Sequence, residues 1–234
     1  MTRWTLVSQM QDPAQSQLGA DALNQLCQLY WQPVYIYIRS WNKSPADAED
    51  LTQGFFSMIL SRQSLDLVAP ERGKLRTFLL VAVKRFLSNA HHHDSAQKRG
   101  GGQVPVSIDA EWTTGHSRKI DPAGGDSPDV LFDRQWALTA LQRTLSQLQN
   151  NYEADGKGGI FQALKFTISP SGARRPLSEV AAELGITEGA AKVASHRLRQ
   201  RYRTILHEVI AETVDSDGNV EDEIRYLMSV FSNT

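Results

Sequence analysis

Cationic side chains collect at one end of a helical pattern in residues 177–203, and cations at helical spacing can hold nucleic-acid phosphates. The last sixteen residues of this segment contain five Lys or Arg and one acid. The pattern predicts two amphipathic helices: the first is expected to be capped by Ser178 and ended by Gly185, since glycine readily adopts the left-handed conformation. Thr187 is a suitable N-cap for the second. Two helices joined by such a turn are typical of a DNA-reading helix-turn-helix, although many all-helical proteins contain similar turns and a basic helix is often a solvated face.

The second helix of this segment is expected to have an apolar and a cationic side. Its inward-facing residues are predicted to be Ala190, Ala191, Val193, Ala194 and Leu198. The side chains left for a polar partner are Lys192, Ser195, His196, Arg197, Arg199, Arg201 and Arg203.

The overall charge hides a strong segregation along the chain. The net charge of the 234 residues is −1, yet Arg72 to Arg99 contains seven Lys or Arg and one acid. Local patches, rather than net charge, decide where phosphate docks. The sequence therefore predicts two basic surfaces on an otherwise neutral protein.

Several other classes of protein are disfavoured. No continuous apolar run indicates export or membrane spanning, so a cytoplasmic protein without membrane contact is expected. The single cysteine, Cys27, lies among leucines and is predicted to be a core residue. Three consecutive imidazoles, His91 to His93, point in different directions on a helix, so no metal site is predicted. Motifs for catalysis or cofactor binding are not found, and no enzyme activity is expected.

The elements that position these groups are predicted to be helices throughout, giving an all-α fold of two small helical domains joined by a flexible linker. Residues 33–38, PVYIYI, could form a strand, but helix is preferred, with Pro33 in a first helical turn. Ser44 and Pro45 predict another helix start. The predicted organisation is a helical domain over 18–99, a linker over 100–129, a helix-turn-helix domain over 130–214 and an extension with a short amphipathic helix over 215–234.

At this point the order of the segments resembles a known family. Residues 47–56, DAEDLTQGFF, look like part of the second conserved region of bacterial RNA polymerase sigma factors, particularly the extracytoplasmic-function group of the sigma-70 family. Residues 73–80, 84–87 and 97–101 resemble the DNA-melting part of the same region. Residues 177–203 resemble the fourth region, which reads promoter DNA. Together these matches cover most of the chain.

The resemblance implies a sigma factor that binds core RNA polymerase and directs promoter-specific initiation. Polymerase contacts would come from Asp47, Glu49, Asp50, Gln53 and Phe56, unless the acids only favour the helix N-terminus and both Phe55 and Phe56 are core. The melted promoter strand would be held by Lys74, Arg76, Lys84, Arg85, His91, His92, Lys98 and Arg99. An anti-sigma factor or other regulator is left open as a further partner.

The resemblance places the second block on an upstream duplex element. Bases would be read from Thr187, Glu188, Lys192, Ser195, His196 and Arg197, and phosphates held by Arg174, Arg175, Arg199 and Arg201. The extension is expected to pack back on this second block or to meet a regulator. The rival interpretation is a stand-alone helix-turn-helix transcription regulator with an N-terminal sensing or dimerisation domain.

Overall fold

The chain folds into helices, as a computed structural model shows for residues 16–41, 43–60, 74–97, 126–168, 175–214 and 219–232; for 16–25, 60 and 91–97 only the backbone is described. Every regular element in these ranges is helical, which confirms the predicted all-α class. The helices are α1 Ser16–Arg39, α2 Pro45–Leu60, α3 Leu75–Gln97, α4 Pro128–Ala154, α5 Gly158–Leu164 with a 3-10 turn over Lys165–Thr167, α6 Leu177–Leu184, α7 Glu188–Ala211 and α8 Val220–Ser232.

Helix α1 runs through the ambiguous segment 33–38. The preference for helix there is confirmed, but Pro33 lies in the interior of α1 and not in a first turn. Its neighbours Val34, Ile36 and Ile38 are almost completely buried. Core packing on several sides of α1 therefore outweighs both the β-branched residues and the backbone hydrogen bond that proline cannot donate.

Helix α2 begins as its sequence predicts. The Ser44 hydroxyl accepts a hydrogen bond from the Asp47 backbone N–H at 3.1 Å and donates one to the Asp47 carboxylate at 2.7 Å. Pro45 is the first helical residue, where its missing N–H costs nothing. This cap fixes the point from which the acidic residues of α2 are presented.

The tertiary contacts divide the chain into two compact units. Unit 1 takes the described residues up to Ala137 and those from Glu212 onward, and unit 2 is Leu138–Ala211. These boundaries differ from the sequence-based ones, which assigned 130–137 and 212–214 to the second domain and gave 215–234 a place of its own. Unit 1 is thus assembled from segments that lie far apart in the sequence.

The core of unit 1 is rich in aromatic side chains. Phe55 lies fully buried, edge-on to Phe56 at 5.4 Å and to Phe86 at 5.8 Å between ring centroids. Phe132 meets Tyr37 edge-on at 6.4 Å, so the first turns of α4 take part in this core. Each such ring pair stabilises the fold by about 0.5–1.5 kcal/mol beyond the contribution of its buried apolar area.

The core of unit 2 lies between α5, α6, α7 and the later part of α4. Tyr152 and Phe161 pack with ring centroids 6.0 Å apart. Gly156, at φ 70°, turns the chain between α4 and α5, and the backbone N–H of Lys157 donates to the Tyr152 carbonyl at 2.7 Å. Val180 of α6 and Leu198 of α7 are completely buried.

Candidate nucleic-acid interface

Helices α6 and α7 are joined by three residues, Gly185, Ile186 and Thr187. Gly185 has φ 65° and ψ 31°, the left-handed conformation expected of it, and the Ile186 N–H donates to the Ala181 carbonyl at 3.0 Å. Thr187 caps α7 as predicted, since its hydroxyl accepts from the Ala190 N–H at 3.2 Å. The prediction for Ser178 was wrong: α6 begins at Leu177 after Pro176 and has no side-chain cap. The Gly185 turn and the Thr187 cap together define where α7 begins.

Helix α7 has a buried side and an exposed side over its first four turns. Ala191, Ser195 and Leu198 are buried. Ser195 was predicted to face DNA, and this was wrong because its position repeats at the helical spacing of the two apolar core residues. The opposite side exposes Gly189, Val193, His196, Arg197 and Gln200, which we call the outward face of α7.

Two of the residues predicted to pack inward lie on the exposed side. Ala190 is exposed and Val193 is 50% exposed, whereas Ala194 is half-buried. The prediction treated every apolar residue of α7 as core. Only one of each consecutive pair can face inward, because adjacent helical residues point about 100° apart.

The cations of α7 differ in their partners. Lys192 forms an exposed ion pair with Glu188 at 2.7 Å, and Arg201 pairs with Asp155 at 3.0 Å while lying over the Tyr152 ring. Arg199 donates from Nε to the Ser195 carbonyl at 3.5 Å. Exposed pairs of this kind contribute about 0–1 kcal/mol, so a phosphate group can replace the carboxylate at little cost.

Of the two basic residues before α6, Arg175 lies in the described part of the chain. Arg175 is exposed and its guanidinium pairs with Glu183 at 2.9 Å and with Glu179 at 3.9 Å. Arg174, also predicted to hold phosphate, lies outside the described residues. Arg175 is thus held near α6 by two acids of that helix.

In unit 1 the predicted DNA contact Arg76 is buried in a network of charged groups. Its Nη1 atom donates to Asp133 at 2.5 Å and its Nε atom to Glu223 at 3.0 Å. Lys74 lies 2.7 Å from the second oxygen of Glu223. Tyr226 completes the group, donating its hydroxyl to Asp133 at 2.5 Å, with its ring 4.2 Å from the Arg76 guanidinium carbon. We call these five residues the Arg76 cluster.

Electrostatics within the Arg76 cluster favour its charged, paired form. Burial alone would lower the pKa of Arg76, but the neighbouring Glu223 and Asp133 carboxylates raise it above its ordinary value. Burial, together with the hydrogen bond to Asp133, raises the pKa of Tyr226 to about 12. Arg76 therefore stays charged and the Tyr226 hydroxyl stays protonated throughout the neutral range.

The Arg76 cluster corrects one expectation and refines another. Arg76 is only 7% exposed and does not present a cation to solvent. The extension was expected to pack on the second block, 130–214, or to meet a regulator; its helix α8 contacts that block at Asp133, through Tyr226, and also pairs with α3 through Glu223. Asp133, Glu223 and Tyr226 were not recognised in the sequence; the one available signal was that Glu223 lies one turn from Leu227 on the apolar side of an amphipathic helix.

The other residues predicted to hold the melted promoter strand differ in their exposure and in whether the structure describes them. Lys84 forms a half-exposed ion pair with Asp129 at 2.6 Å, and this hydrogen bond raises the pKa of Lys84. Arg85 is exposed. His91 and His92 fall in the last turns of α3, where side chains are not described, and Lys98 and Arg99 lie outside the described residues.

The predicted polymerase-binding residues lie in α2. Asp47, Asp50 and Gln53 are exposed and Glu49 is half-buried. Phe56 was predicted as an exposed anchor and this was wrong: it is 3% exposed and stacks on Trp31 with centroids 5.6 Å apart. The exposed side of α2 therefore carries Asp47, Asp50 and Gln53, while Phe55 and Phe56 lie in a closed aromatic core.

No protein-family model, curated protein or solved structure matches this chain. Within the described ranges, no three His, Cys, Asp or Glu side chains gather as a metal site would require. The helices that the structure describes include none with the length and apolar character needed to cross a membrane.

Proposed function

We propose that this protein is a transcription initiation factor of the sigma type, which binds core RNA polymerase and directs it to promoters. The observation that carries the proposal is the exposed side of α7, where Lys192, His196 and Arg197 surround a helix start held by the Gly185 turn. A helix presented in this way suits the major groove, and α6 with α7 would act as a helix-turn-helix on upstream duplex DNA. The proposal places the protein in the cytoplasm and gives it no catalytic step.

Helix α2 supports the polymerase-binding part of the proposal. Asp50 and Gln53 lie one turn apart on its exposed side, and Asp47 is held at its capped start. A polar, acidic face over a closed core suits docking on a basic or amide-rich surface of a large partner. This face coincides with the DAEDLTQ segment on which the resemblance to sigma factors depends.

Capture of the melted strand would fall to fewer groups than the sequence implied. Arg76 is enclosed in its cluster, and Lys74 and Lys84 are engaged with Glu223 and Asp129. We assign this role to Arg85 and to His91, His92, Lys98 and Arg99. Because sigma factors consume no nucleotide, the open strand would be stabilised only by differential binding, with electrostatic contacts to its phosphates.

A stand-alone transcription regulator is the second candidate. The burial of Arg76 and the attachment of Lys74 to the buried Glu223 carboxylate favour it, because the described cations of the helix pair are exposed or in exposed ion pairs. A regulator should bind its operator without polymerase, commonly as a dimer, whereas a sigma factor should need core polymerase for specific promoter binding.

Reconstituted transcription tests the proposal. Core polymerase without any sigma factor is mixed with this protein and genomic DNA of its source, and RNA 5′ ends are mapped. Specific initiation is expected, to be lost with Lys192→Ala/Arg197→Ala and with Asp50→Lys/Gln53→Lys, the second pair also losing polymerase binding. Ser57→Lys, exposed on the same helix, is the control for added charge on α2. Duplex binding without polymerase and no initiation would identify a regulator instead.

A further inference from the structure

An exposed apolar residue stands in the middle of the outward face of α7. Val193 is 50% exposed, one turn after Gly189 and one turn before Arg197. In an exposed helix position valine is a poorer helix former than alanine, lysine or glutamine, because its branched side chain loses rotamer freedom. The packing of unit 2 therefore gives no reason for a valine at this position.

The neighbours of Val193 indicate the chemistry of its partner. Lys192 and Arg197 are exposed cations, and His196 adds an imidazole on the same side of the helix. A complementary surface must be anionic around its edge and must offer an apolar group between the charges. The major groove has this composition, since two rows of phosphates border base edges on which thymine alone carries a methyl group.

The start of α7 permits the close approach that such a contact needs. Gly189 and Ala190 are both exposed. A Cβ atom added at Gly189 would meet only the Thr187 hydroxyl, at 3.9 Å, so no side chain covers the backbone of α7 at this position. On the outward face the first turn of α7 carries only the small residues Gly189 and Ala190, while the exposed Glu188 of the same turn is paired with Lys192 at 2.7 Å. Its backbone can therefore lie deep in a groove, with Val193 one turn, or about 6 Å, further along the helix.

We infer that Val193 is a base-reading residue whose isopropyl group packs against the 5-methyl group of a thymine in the upstream promoter duplex. The inference rests on the proposed function and adds to it one specificity-determining contact. Lys192 and Arg197 hold the flanking phosphates, and Val193 rejects cytosine at the same position because cytosine lacks the methyl group.

Replacement of thymine by uracil tests this contact directly, because uracil removes the methyl group and leaves the hydrogen-bonding edges unchanged. Holoenzyme made from the full chain and core polymerase first selects duplexes from a random library. In the selected duplex each thymine is then replaced by uracil in turn. At one position the affinity should fall about fourfold, the factor expected when one methyl-sized apolar group is no longer buried.

The variant Val193→Ala completes the test. It should bind the thymine duplex about fourfold more weakly and should no longer distinguish thymine from uracil at that position, while retaining its helix because alanine favours one. The matched control is Leu145→Ala, which truncates another exposed apolar residue of unit 2 away from α7 and should keep the discrimination.

Four results would overturn the inference. If a duplex is selected but uracil is tolerated at every position, or if Val193→Ala keeps the discrimination, only this contact is refuted and the proposed function stands. If Val193→Ala abolishes self-association of the free protein while leaving DNA binding intact, the valine belongs to a protein interface. If the holoenzyme selects no duplex at all, the proposed function fails together with the inference.

Discussion

Replacement of Glu223 by glutamine should destabilise the protein far more than is expected for one of several acids in the first turn of a helix. The Glu223 side chain is 1% exposed and its carboxylate contacts Arg76 at 3.0 Å and Lys74 at 2.7 Å. Glutamine retains the shape and one acceptor but removes the charge. Arg76, whose side chain is 8% exposed, is then left with Asp133 as its single carboxylate partner in the cluster.

The size of the effect follows from the burial of the pair. Removal of one partner from a buried ion pair costs about 3–5 kcal/mol, and the lower end applies here because Asp133 remains and glutamine still accepts a hydrogen bond. For a chain of this size each kcal/mol shifts Tm by about 2–4 °C, which gives a decrease of roughly 6–12 °C for Glu223→Gln. Arg76→Met should lower Tm further than Glu223→Gln, since it leaves both Asp133 and Glu223 buried without their shared cation.

The neighbouring residue supplies the control. Asp222→Asn also removes one negative charge from the first turn of α8, but Asp222 is half-exposed and pairs with exposed Arg225 at 2.6 Å. Its loss should cost about 1 kcal/mol or less. Thermal unfolding followed by circular dichroism ranks the variants, and the difference should persist in high salt because buried pairs are weakly screened. The reasoning is refuted if Glu223→Gln lowers Tm no more than Asp222→Asn.

Three further outcomes are expected. The Cys27 thiol, buried and with its pKa raised to about 12 by that burial, should not react with a thiol reagent at pH 8 until denaturant unfolds the chain; rapid labelling of the native protein would contradict this. Tyr226 has an ordinary pKa of 10.0, which burial and the hydrogen bond to Asp133 raise to about 12 in the folded protein, so its contribution to stability is complete below pH 10 and is lost as the pH rises through 12. Tyr226→Phe should remove one group from the late step of a tyrosinate absorbance titration, and an unchanged late step would contradict the raised pKa of Tyr226. Gly185→Ala should lower the free energy of unfolding by about 1–2 kcal/mol, measured by urea unfolding, because alanine is strained at φ 65° although no atom obstructs its Cβ. The control is Gly159→Ala, at an equally open glycine without a positive φ, which should leave the free energy of unfolding unchanged or raise it.

The parts of the fold that depend on local chemistry could be predicted from the sequence. Ser44 with Pro45, and Gly185 with Thr187, carry their caps and turns in adjacent residues, and the structure confirms both. Helix over 33–38 was predicted correctly, although Pro33, on which the preference for helix rested, lies inside α1 and not in a first turn. Periodicity failed where it treated every apolar residue as inward-facing, as at Val193, because the direction that faces the core depends on the neighbouring helices.

The Arg76 cluster could not be predicted, because its partners are set by the tertiary fold. Arg76 and Glu223 are 147 positions apart in the sequence. The sequence of a basic segment does not distinguish an arginine that faces solvent from one that pairs with a buried carboxylate. The same limit applies to Phe56, since either of two adjacent phenylalanines could be exposed by helical geometry alone. Charge counts along a chain indicate basic segments, whereas only packing shows which cations are available to a ligand.

The division of unit 1 between early and late segments affects how the protein is made. Ribosomes deliver α1, α2 and α3 first, but the carboxylate that balances Arg76 and Lys74 arrives only with α8, after all of unit 2 has been synthesised. Unit 2 is continuous in sequence and can acquire its contacts while α8 is still in the exit tunnel. Until α8 has been synthesised, Lys74 lacks Glu223 and Arg76 has only Asp133 as its carboxylate partner in the cluster, so unit 1 can close only after unit 2 has been made.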